Sequence, residues 1–70
     1  MSSDQVANLV KMVNQISSNA PTRGHEETVQ FVTQHLKKFW AREMKRQIME
    51  YAAAGNSDLS PISLDAVKRL

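Results

Sequence analysis

A chain of 70 residues without a single cysteine cannot brace its fold with disulfides, and thiolate metal sites are excluded for the same reason. Below roughly 70–80 residues one hydrophobic core rarely supplies more than about 3–5 kcal/mol, so small domains lean on disulfides, a metal or a partner. The two histidines, His25 and His35, stand ten positions apart. That is not the i, i+4 spacing that presents two imidazoles to zinc from one helical face. By elimination, the missing stabiliser is another protein chain. A hydrophobic content of 41% fits one domain over residues 1–70.

Apolar residues recur at Val6, Leu9, Val10, Val13 and Ile16, with Met12 beside them, which is the i, i+3, i+4 pattern of an amphipathic helix. Ser2 or Ser3 is its expected N-cap, and Ser17 to Pro21 should stop it, giving a helix over about residues 4–18. Thr22 is the expected cap of the next helix, with Glu26 and Glu27 in the first turn, where negative charge complements the helix dipole. The stripe then runs Val29, Val32, Leu36, Phe39 or Trp40, Met44, Ile48 and Tyr51, with no Pro or Gly before Gly55. One helix from His25 to Ala54 would be about 45 Å long at about 1.5 Å per residue, too long for a compact domain of this size. It should either kink near Trp40 to Arg42 or leave an exposed end. Gly55 suits a helix C-terminus that needs positive φ. Ser60-Pro61 reads as an N-cap followed by Pro at the first helical position, opening a last helix over about residues 61–69 with Leu64, Val67 and Leu70 on one stripe. The expected fold is all-α, a small bundle of three to four helices, the central one long or kinked near Trp40.

No nucleophile and base fall into a catalytic pattern, and Gly55 has no phosphate-cradling loop around it. Glu26 and Glu27 point about 100° apart on a helix, which suits dipole partners better than a metal pair. His35 borders the apolar stripe, either as a half-buried hydrogen-bonding residue or as a contact to another chain. Lys37, Lys38, Arg42, Lys45 and Arg46 place five cations within ten residues, relieved only by Glu43. On a continuous helix Lys38, Arg42 and Lys45 share one face, which is either a solvated face, a grip for an acidic protein patch, or a nucleic-acid contact. The overall net charge of +2 is too weak to decide among these. Phe39 and Trp40 are adjacent and cannot both enter one core stripe, so one aromatic lies near the surface, as a partner anchor or as a rim-packed side chain. Met1 to Gln5 are polar, and no stretch nears the ~18 consecutive apolar residues of a membrane-spanning helix, so a cytoplasmic protein is expected.

The ordered set Lys11-Met12-Val13-Asn14-Gln15-Ile16, His35-Leu36-Lys37-Lys38-Phe39-Trp40, Met44, Ala53-Ala54-Gly55, Leu59-Ser60-Pro61 and Ala66-Val67 resembles the delta subunit of NAD-dependent formate dehydrogenases over about residues 8–70. In that family an acidic residue and Pro usually follow the Trp, whereas this chain has Ala41-Arg42-Glu43-Met44. Lacking that Pro, the second and third helices are free to run on as one. The resemblance implies a cytoplasmic, multi-subunit enzyme that oxidises formate to carbon dioxide and passes the electrons to NAD. The molybdenum or tungsten pterin, iron–sulfur clusters and flavin would belong to its larger subunits, with no cofactor on this chain. The expectation is a non-catalytic accessory subunit, aiding assembly, cofactor maturation or stability. It would dock on a larger formate dehydrogenase subunit through Phe39, Trp40 and Met44, with His35, Lys38, Arg42 and Arg46 around them. A basic nucleic-acid-binding regulator and a self-associating helical protein, homodimeric when isolated, are the alternatives.

Overall fold

The computed structural model describes residues 2–56 and 58–70, with side chains from Gln5 onward. Among them are four α-helices and no strand: α1 (Ser2–Asn19), α2 (His25–Phe39), α3 (Arg42–Ala53) and α4 (Pro61–Lys68). α1 begins two residues earlier than expected, and the capping role expected of the Ser2 or Ser3 side chain lies outside the described residues. α1 and α4 each pack against all the other helices, and the closest pairing is α2 with α4.

The stretch expected as one long or kinked helix is two helices. α2 closes where the Trp40 amide donates to the Leu36 carbonyl at 3.0 Å, and Trp40 (ψ 138°) and Ala41 (ψ 155°) are both extended before α3 begins. Neither Pro nor Gly imposes this break, so local sequence is not its cause. An unbroken helix of about 45 Å would overrun the longest dimension of the molecule, 36 Å. Breaking it returns α3 to α1 and α4. Trp40 is then only 6% exposed, Ile48 is fully buried, and Met44 and Tyr51 pack on the core edge. Burying that apolar surface outweighs the helical hydrogen bonds forgone at two residues.

The core joins Leu9, Val10 and Val13 of α1, Val29, Val32 and Leu36 of α2, then Trp40, Ile48, Leu59, Ala66 and Val67. α4 differs from the expected stripe: Ser63, Ala66 and Val67 face inward, while Leu64 and Leu70 are half-buried. The buried Ser63 is tolerated because its hydroxyl is satisfied. It lies 2.7 Å from the Ser17 hydroxyl, donates to the Val13 carbonyl and accepts from Ser60. Asn14 completes the seam between α1 and α4, donating to the Asp58 carbonyl and accepting from the Ser60 amide, each at 2.9 Å.

Cap chemistry explains two of the helix ends, the start of α4 and the end of α3. Ser60 accepts from the Ser63 amide with Pro61 behind it, and Gly55 takes φ 83° after α3. Thr22 does not cap α2. Its hydroxyl meets that of Thr28 at 2.6 Å, and Gly24 is the capping residue, without a side-chain bond. α3 also starts without a side-chain cap, from Ala41. Ala41 already has the extended geometry of an N-cap, so Ala41→Asp should stabilise the fold by about 1 kcal/mol. That corresponds to a melting temperature raised by about 4–8 °C. Thermal unfolding followed by circular dichroism checks it, and an unchanged or lowered midpoint would show that α3 does not begin at Arg42.

Candidate functional site: an aromatic face and a basic groove

Residues at intervals of four share a face of a helix, and Phe31, His35 and Phe39 are so spaced on α2. Their rings form a ladder. Phe31 and His35 are stacked with centroids 6.3 Å apart, and His35 and Phe39 lie 4.8 Å apart at a 48° tilt. Phe39 is 71% exposed, and Phe31 and Met12 remain more than a third exposed. The ladder is a ridge between two shallow depressions. One lies along α2 and holds Thr22, Gln34 and Lys38, and the other lies between α1 and α2 and holds Met12 and Ile16.

The residues expected to form one docking surface are divided among three places. His35, Lys38 and Phe39 share the aromatic face. Trp40 is corrected from a surface anchor to a core residue, leaving only a narrow edge at the floor of the α1–α2 depression. Met44 packs half-buried against the same core. The physical reason is the break in the helix: Trp40 is the first extended residue after α2, so it leaves the face that Phe39 continues and turns inward.

Arg42 and Arg46 lie elsewhere. They line an open groove of about 530 Å³ with Lys37 and Lys45, floored by Met49 and Leu70. Lys38 does not join Arg42 and Lys45 on one face as a continuous helix would require, because the extended pair Trp40-Ala41 resets the helical phase between them. Phe31 and Met49, both open to solvent, were absent from the sequence-based expectation. The signal for Phe31 was its place four residues before His35.

Charge is used in distinct ways across the surface. Arg46 is clasped by Glu43 and Glu50, and these hydrogen bonds hold the Glu43 carboxyl below, and the Arg46 guanidinium above, their ordinary ranges. Arg69 grips Glu26 through its two terminal guanidinium nitrogens, at 2.6 and 2.8 Å, and His25 meets Asp65 at 2.9 Å. Both contacts tie the start of α2 to α4. The bond from Arg69, helped by Gln30, lowers the Glu26 carboxyl from 4.5 to about 2. A carboxyl lowered in the folded state contributes stability that is full above its unfolded value and fades as pH falls through its folded value. Glu26→Gln should therefore flatten the dependence of the melting temperature on pH between 4.5 and about 2, most visibly at low salt. Parallel melts of the two proteins across that range test this, and superimposable profiles would contradict it.

Among the described residues no three His, Cys, Asp or Glu side chains gather as a metal set. Nor is any helix among the described residues long and apolar enough to cross a membrane. What the arrangement offers is contact: an exposed aromatic ridge, and a separate groove with cations around an apolar floor.

No curated protein and no solved structure matches the chain. Residues 8–67 match the family model described as NADH-dependent formate dehydrogenase delta subunit, a span that includes the Phe31–His35–Phe39 ladder, the Trp40 break and most of α4. By that match over nearly its whole length, the chain belongs to the formate dehydrogenase delta-subunit family.

Proposed function

We propose that this chain is a non-catalytic accessory subunit of a cytoplasmic NAD-dependent formate dehydrogenase, docking on a larger subunit through the Phe31–His35–Phe39 face. The observation that carries the reading is the exposure of Phe39 at 71%, the greatest of any large apolar side chain among the described residues, beside the part-exposed Phe31 and Met12. An exposed aromatic bordered by further apolar side chains is the usual mark of a surface that a partner later covers. Covering it would contribute about 2–4 kcal/mol before ordering costs. Lys38 stands at the rim of the same face, where its charge guides orientation more than it adds affinity. Membership of the delta-subunit family supports a larger formate dehydrogenase subunit as the partner, and on this reading formate oxidation and its cofactors reside there. In isolation the same face is free to meet a second copy, so a homodimer at high concentration is the expected form of self-association.

The service to the complex lies in assembly, cofactor maturation or stability, and deletion of the gene separates the three. Loss of the assembled enzyme on native gels marks assembly. An assembled enzyme depleted in molybdenum or tungsten marks maturation, and a normally loaded enzyme that loses formate-dependent NAD reduction faster on warming marks stability. A deletion strain indistinguishable in all three measurements would overturn the proposal.

A further inference from the structure

The groove around Lys37, Arg42 and Lys45 is separate from the aromatic face and has its own chemistry. Lys37 lies in the last turn of α2, Arg42 opens α3, and Lys45 reaches back across the break so that its ammonium lies 3.5 Å from the Lys37 carbonyl. No carboxylate among the described residues lies within ion-pair distance of these three cations, whereas Arg46 beside them is neutralised by Glu43 and Glu50. Between the cations the floor is apolar, with Met49 42% exposed and Leu70 half-buried. Unpaired cations around an apolar trough call for a ligand that is apolar along its middle and negative along its edges.

We propose that this groove docks an amphipathic helix of a partner protein, with an aliphatic stripe on Met49 and Leu70 and with Asp or Glu side chains on Lys37, Arg42 and Lys45. Helix-in-groove recognition has this form: the apolar face supplies burial, and flanking charges fix direction and register. A nucleic acid fits less well. A phosphate backbone gains nothing from Met49 and Leu70, whereas an aliphatic stripe is covered by them. This inference goes beyond the aromatic face and gives the chain a second contact surface, suited to a bridging role between two proteins.

The test uses the full chain and three labelled probes: a helical peptide with leucines at every third and fourth position flanked by glutamates, the same peptide with lysines for the glutamates, and a short DNA duplex. Fluorescence anisotropy should show binding of the glutamate peptide, weakening with salt, and little binding of the other two. Backbone amide NMR shifts should centre on Lys37, Arg42, Lys45 and Met49. The triple variant K37E/R42E/K45E should bind the peptide about tenfold more weakly, since each rim pair contributes modestly. Met49→Gln, which leaves every charge in place, should weaken it several-fold, and this keeps the question answerable should the triple variant misfold. Equal binding of the lysine peptide, tighter binding of DNA, shifts confined to the Phe31–Phe39 ridge, or unweakened binding by Met49→Gln would each overturn the proposal. Failure here leaves co-purification with formate dehydrogenase untouched, so the two readings fall separately.

Discussion

Trp40→Ala should unfold this protein. The side chain is 6% exposed at the centre of the break between α2 and α3, packed into the single core of the molecule. Emptying a buried tryptophan site costs about 3–5 kcal/mol, the sum of lost transfer free energy and the cavity left behind. A cysteine-free core of this size supplies about the same amount in total. The variant should therefore lose most of its helical circular dichroism and its cooperative transition at ambient temperature. Trp40→Phe, which keeps an aromatic ring in place, should retain both with a lowered midpoint. Because the chain has one tryptophan, its fluorescence reports this site alone. Native emission should be blue-shifted and should move to longer wavelength on unfolding. A Trp40→Ala protein with a stability within about 1 kcal/mol of the parent would show that Trp40 is not in the core.

Phe39→Ala should do the opposite. With the ring 71% exposed, its removal takes little from the folded state, and the melting temperature should barely move. Removing a central aromatic anchor from an interface, however, typically costs on the order of 2 kcal/mol or more, roughly thirtyfold in Kd. Titration of purified larger formate dehydrogenase subunits with the parent and the variant measures that difference. A parent-like Kd would exclude the aromatic face as the docking surface. The pair of variants also separates stability from recognition at adjacent positions. Loss of binding in Trp40→Ala would report unfolding, whereas loss of binding in Phe39→Ala with an unchanged melt reports a contact.

Much of the bundle was legible in the sequence because it depends on local chemistry. The α1 stripe, the acids at the start of α2, the Gly55 turn and the Ser60-Pro61 start follow from periodicity, caps and φ preferences. The break at Trp40-Ala41 was not fixed by such rules, since Ala41 and Arg42 are ordinary helix formers and no Pro or Gly interrupts them. It arises from the need to fold α3 back over a core too short for a continuous helix. Everything downstream of that break shifted with it. Trp40 rather than Phe39 went inward, and Lys38 parted from Arg42 and Lys45. The capping expectation at Thr22 failed for a smaller reason, because Thr28 takes its hydroxyl. The candidate surface was therefore half readable. Its aromatic member and its cations were visible as residue types, but their division between a ridge and a groove required the fold.

The ridge and its larger partner are tested most directly in the native cell. The tagged chain is purified under gentle conditions, beside its Phe39→Ala counterpart, and co-purifying proteins are quantified by mass spectrometry. The expected result is recovery of the larger formate dehydrogenase subunits in amounts comparable to the chain, and their loss with Phe39→Ala. Recovery of the folded parent chain without any formate dehydrogenase subunit would contradict its role as a docking subunit of that enzyme.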